Sequence, residues 1–169
     1  SLRLTASPQA GAVLTSDGVG NASWQAASSG SFNPSTTGPM EFTVNGARAL
    51  RLEPGANAPN ILGGFSGNTI SANTSGATIA GGGINSLAHS LTANYTVIGG
   101  GVANRVSGEG GTIAGGAANS VEGSSAFIGG GANNRALGAY NVIAGGSFNA
   151  TANAAATVGG GSRNQAIQD

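Results

Sequence analysis

His89 is the only histidine in the chain, and neither cysteine nor lysine accompanies it. Acid–base and nucleophilic chemistry therefore has little material. Without lysine there is no Walker-type phosphate loop and no Schiff base. Without cysteine there is no thiolate nucleophile, disulfide framework or Cys-based zinc site. Asp17 and Asp169 are the only aspartates, and between residues 62 and 168 only Glu109 and Glu122 are acidic. A calcium solenoid needs an Asp in each turn, so that reading is set aside. No base is spaced to activate the many serines and threonines, and the glycines of GGGVANRVSG precede no suitable helix. We expect no enzyme activity, no catalytic residue, no cofactor and no metal, with His89 as an exposed loop residue.

Charge narrows the partners. Only 7% of residues are charged, and the net charge is zero. Nucleic acid and anionic membrane are thus poor partners. No run approaches the roughly 18 apolar residues of a membrane helix, so direct membrane insertion is not expected of this fragment. No signal peptide is visible, and the start, SLRLTASP, reads as the interior of a longer protein.

The elements that must position these side chains come from a repeat. An apolar residue ahead of glycine falls at Leu62, Ile79, Ile98, Ile113, Ile128, Ile143 and Val158, with spacings of 17, 19, 15, 15, 15 and 15. Six residues after each comes an asparagine: Asn68, Asn85, Asn104, Asn119, Asn134, Asn149 and Asn164. Two residues further stand Ile70, Leu87, Val106, Val121, Ala136, Thr151 and Ala166.

A fifteen-residue period is too short for helical repeats, which run from about 33 residues and tolerate few glycines. It suits one coil of an all-β parallel β-solenoid with two short strands, joined by Gly-Gly corners that accept positive φ. Like residues then lie over like at about 4.8 Å. The apolar column becomes a core stack, and the asparagines become a ladder of amides bonding one another, as in cross-β stacks. The four extra residues of the nineteen-residue coil form a loop. So thin a core is poor support for a free monomer. We therefore expect an oligomeric rod, preferably three-fold, with Val106, Val121, Leu137 and Ile167 partly buried between subunits.

Asn-Ser-Val-x-Gly-x-Ser at 119–125, followed by Phe-Ile-Gly at 127–129, resembles the head repeats of YadA-like trimeric autotransporter adhesins. The resemblance covers about residues 61–169 and extends to parts of bacteriophage tail fibres and other bacterial surface fibres. It implies a left-handed parallel β-roll in a homotrimer and a location outside the cell or on a virion. It also implies attachment to a cell-surface, matrix or glycan receptor. A structural rod or spacer is the other reading. The family period is typically fourteen and its corner Ile-Gly, where this chain has fifteen and Gly-Gly.

Residues 1–60 carry no repeat. Residues 1–38 read as a fibre or connector region, with strand, turn and strand over 12–25 and a linker over 26–39; the stretch AGAVLTSDGVGNASWQ resembles a segment recurrent in fibre proteins. Residues 39–60 read as a β-hairpin cap on the solenoid of 61–169. Asn45-Gly46 marks the turn. A three-residue loop, Asn45–Ala47, pairs Val44 with Arg48, Phe42 with Leu50 and Met40 with Leu52, and sets Glu41 opposite Arg51.

Four outward residues are candidate surface contacts. Arg105 and Arg135 each follow a ladder asparagine, two coils apart. Tyr95 and Tyr140 share one repeat position. Thr before the core residue, as at Thr78, Thr112 and Thr157, suggests an ice-binding array, but Phe127 interrupts it.

Overall fold

The computed structural model describes residues 12–16, 19, 22–26 and 38–167. The chain divides into two compact units, residues 1–35 and 36–169. In the first, β1 (Ala12–Ser16) and β2 (Ala22–Ala26) pair antiparallel, Leu14 opposite Trp24. Residues 27–37, most of the expected linker, lie outside the described residues.

The second unit is an all-β solenoid of about seven coils. One wall holds β5 (Asn60–Gly63), β7 (Thr78–Ile79), β9 (Val97–Ile98), β11 (Thr112–Ile113), β13 (Phe127–Ile128), β15 (Val142–Ile143) and β17 (Thr157–Val158). The facing wall holds β6 (Thr69–Ile70), β8 (Ser90–Leu91), β10 (Arg105–Val106), β12 (Ser120–Val121), β14 (Arg135–Ala136), β16 (Ala150–Thr151) and β18 (Gln165–Ala166). Within each wall all these strands are parallel and in register, Ile113 beside Ile98 and Ile128 and Val121 beside Val106 and Ala136. A third, narrower ladder links Val102, Ala117, Ala132, Ser147 and Ser162 at the corner between the walls.

Two-residue strands survive because turns recur on schedule. In the coil beginning at Thr112, Gly116 (φ 90°), Ala118 (φ 55°) and Ser125 (φ 54°) all adopt left-handed backbone. A side chain at Gly116 would fall on the Gly131 carbonyl oxygen and within 2.8 Å of the Asn119 amide nitrogen. Glycine is needed there for room as well as for torsion.

Leu62, Ile79, Ile98, Ile113, Ile128, Ile143 and Val158 are all buried. Opposite them stand Leu91, Val106, Val121, Ala136 and Thr151, each 0% exposed. Val106 and Val121 are thus interior residues of one solenoid, not intersubunit ones, because they share the inward parity of the ladder; only Leu137 and Ile167 point outward. Leu87 is likewise not in this column, which Leu91 occupies.

The cap is continuous with the wall. β3 (Met40–Val44) pairs antiparallel with β4 (Ala47–Glu53), and β4 pairs antiparallel with β5, giving a nine-stranded sheet. The loop is shorter than the sequence suggests. Val44 pairs with Ala47 across a two-residue turn of Asn45 (φ 50°) and Gly46 (φ 75°), and Thr43 pairs with Arg48. Two positive φ values match the primed turn that suits strand twist. The register then shifts between Phe42 and Thr43, restoring Phe42–Leu50, Glu41–Arg51 and Met40–Leu52. The extra residue sits in the strand as a bulge rather than in the loop.

Candidate functional site

The interior ladder is built from asparagine side chains bonded to the main chain, not chiefly to each other. The Asn119 Oδ1 accepts the Asn134 N–H at 3.0 Å. Its Nδ2 donates to the Gly115 carbonyl of its own coil at 3.2 Å and to the Gly131 carbonyl of the next at 3.0 Å. Asn104, Asn134 and Asn149 repeat this pattern. Each amide, itself buried, thus bonds three backbone groups beneath a partly exposed corner. The Gly131 carbonyl also accepts the Ala117 N–H at 2.9 Å, so the asparagine amide fills its second lone pair. The Asn134 N–H and the Gly115 carbonyl rely on a side chain that offers both a donor and an acceptor. Aspartate lacks the donors, and leucine would leave the buried Asn134 N–H without its acceptor, at about 1–3 kcal/mol. Direct amide-to-amide bonding occurs at the last rung, where Asn164 Nδ2 donates to Asn149 Oδ1 at 3.1 Å.

Asn85 is not a rung. It is exposed in a four-residue knuckle, Ile84–Leu87, closed by the Leu87 N–H to the Ile84 carbonyl at 2.9 Å. The rung is His89, which is 1% exposed rather than a surface loop residue. Its N–H donates to Asn68 Oδ1 at 2.9 Å, and its Nδ1 accepts the Asn104 N–H at 3.1 Å. The insertion enters before the rung, so a count of six from Ile79 stops inside it. Counting back from Tyr95 gives the same six-residue step that separates Asn134 from Tyr140. Burial pushes the His89 imidazole below its ordinary value, with the Gly101 carbonyl beside Nε2 working the other way. Nε2 makes no hydrogen bond of good geometry. An N–H aimed at Nδ1 requires its lone pair, hence a neutral ring.

Two further features escape a search for repeats. Asn60 and Asn141 face inward just before their strands, and their Oδ1 atoms accept the Ala77 and Ala156 N–H groups, each at 2.9 Å. Arg48 on the cap donates to the Ser66 carbonyl at 2.8 Å, tying the hairpin to the first corner. Under that cap, Arg51, Glu53, Asn60, Ile70 and Asn73 line a cleft of about 440 Å³. Arg51 Nε lies 2.9 Å from Glu53 Oε1, an ion pair too bent for a hydrogen bond, and Arg51 also lies 3.5 Å from Glu41.

Outside, Arg105 and Arg135 are exposed on β10 and β14 with Ser120 between them. Arg135 pairs with Glu122 at 3.0 Å. Tyr95 (φ 57°) and Tyr140 (φ 60°) occupy left-handed corner positions with their rings exposed. Phe148 holds the equivalent of Ala118 at another corner, with the Arg163 guanidinium 5.5 Å from its ring. No group of three or more metal-ligating side chains occurs among the described residues. No helix among them is long and apolar enough to cross a membrane. Compared with family models, curated proteins and solved structures, the chain matches none.

Proposed function

We propose that this chain is a head module of a homotrimeric fibre. It is displayed outside the cell or on a virion and attaches to a cell-surface, matrix or glycan receptor. The observation that carries the reading is the set of aromatic rings held out at the corners, Tyr95, Tyr140 and Phe148. A ladder of buried amides fixes the backbone beneath them. Aromatic and arginine side chains are enriched where proteins recognise partners. A spacer needs only Gly, Asn, Ser and Thr outside. Three copies carrying equal weak sites gain avidity without any new contact.

Light scattering should give three times the 16.0 kDa chain mass. The assembled protein should be retained on a printed glycan panel, matrix-coated wells or intact cells, and Tyr95→Ala/Tyr140→Ala should reduce retention at least tenfold. A monomer would overturn the trimer. Binding to none of these surfaces, or retention indifferent to both tyrosines, would overturn attachment in favour of the spacer.

A further inference from the structure

We infer that the outer face of the nine-stranded sheet is where copies of this chain pack together, parallel and level with one another. This deepens the homotrimer reading and rests on it. Outward residues along that sheet form two rows, fixed by strand register. One runs Ile61, Thr78, Val97, Thr112, Phe127, Val142, continuing upward through Leu52 and Met40 of the cap. The second lies two residues on and alternates, Gly63, Ala80, Gly99, Ala114, Gly129, Ala144. Neither row contains a charged residue. The opposite wall carries Arg105, Glu122 and Arg135 outward. Ile61 is 41% exposed, Val97 36%, Phe127 39% and Phe42 44%, so a set of large apolar side chains stands in water. Nine strands at about 4.8 Å make the face roughly 38 Å long. Contiguous apolar surface on this scale marks interaction sites.

The second copy is favoured by size matching between the rows. Three of the four large residues of the first row share their coil with glycine in the second, Ile61 with Gly63, Val97 with Gly99 and Phe127 with Gly129, whereas Val142 shares its coil with Ala144. Thr78 and Thr112 share their coils with Ala80 and Ala114, while Thr157 in the last coil stands with Gly159. Across the four coils from Thr78 to Phe127, a copy standing level presents glycine to Val97 and Phe127 and a methyl to Thr78 and Thr112. A slip of one coil sets Phe127 against Ala114 or Ala144. A foreign partner would need the same two-coil period of about 10 Å. Another copy has it already.

Because the chain has no cysteine, introduced thiols can read the arrangement. Thr157→Cys/Gly159→Cys sets one thiol in each row of the last coil, and oxidation should link the chains covalently. Ser120→Cys on the opposite wall should stay unlinked, and Val97→Glu should lower the mass to that of one chain while keeping its β circular dichroism. If the unmodified protein is monomeric, this inference falls together with the trimer. If it is trimeric but Val97→Glu keeps that mass and Ser120→Cys links instead, only the inference falls. Linking of Thr112→Cys/Ala114→Cys without linking of Thr157→Cys/Gly159→Cys would show antiparallel packing and overturn the level arrangement. Should Val97→Glu lose its β structure, the thiol pair alone decides.

Discussion

At the scale of single residues, the columns show how strictly a stack judges its members. Asn119 works because its two donors and its acceptor meet three backbone groups, one of which, the Gly131 carbonyl, it shares with the Ala117 N–H. His89 meets only part of that demand, offering an acceptor through Nδ1 but leaving Nε2 without a good partner. Its folded-state affinity for protons is depressed by burial relative to the ordinary 6.5. Below pH 6.5 the unfolded chain therefore takes up a proton that the folded chain resists. Stability contributed by neutral His89 is present above that pH and is lost progressively as pH falls toward the folded-state value. Thermal melts from pH 7.5 to 5 should show a falling midpoint that His89→Asn largely abolishes, since asparagine supplies the missing donors and stays neutral. Parallel pH profiles for both proteins would show that the ring is not the titrating element.

At the scale of elements, much of the architecture could be read from residue order because a solenoid repeats its environment. Ile113 and Ile128 occupy the same surroundings, so they are the same residue. Reading stopped where an element departed from the period. The knuckle at Ile84–Leu87 displaced the rung by four residues, so a count forward from Ile79 misses His89, although a count of six back from Tyr95 reaches it. The bulge beside Thr43 could not be told from a longer loop, since both restore the Phe42–Leu50 pairing. Arg48 was silent because its carbonyl partners lie 17 to 20 residues away in a corner with no repeat neighbour above it. The Gly–Ala alternation of the outer row also has an internal cause. A side chain on Gly99 would land on the Ala114 carbonyl oxygen, and one on Gly129 on that of Ala144. Gly99→Ala should accordingly cost about 1–3 kcal/mol, the usual range for overpacking. Ala114→Gly should cost only about 0.5–1 kcal/mol through backbone entropy. Chemical denaturation of the two variants checks the contrast, and equal effects would show that the coils can spread.

At the scale of the whole unit, the two ends differ. The cap extends one wall by two antiparallel strands, whereas among the described residues β17 and β18 each have a neighbour on one side only. Among the described residues no rung follows Asn164. In stacks where each repeat contacts its neighbours, protection against opening grows with distance from an unsupported end. Amide exchange followed by NMR should be slowest around Ile98–Ile128, and faster at Val158–Ala166 than at Leu62–Ile70. Uniform exchange along the chain would mean that the stack opens as a single unit.

The knuckle carries a last implication. Four residues enter the winding after Gly83, and the chain rejoins its neighbours at Ala88–His89 as though nothing had intervened. Length within a coil is therefore not what the architecture measures; the meeting of each rung with the one beneath it is. Such a corner is a natural grafting point. Peptides of other sequences spliced there would ride on an unaltered shaft, so new recognition could be acquired without renegotiating the interior.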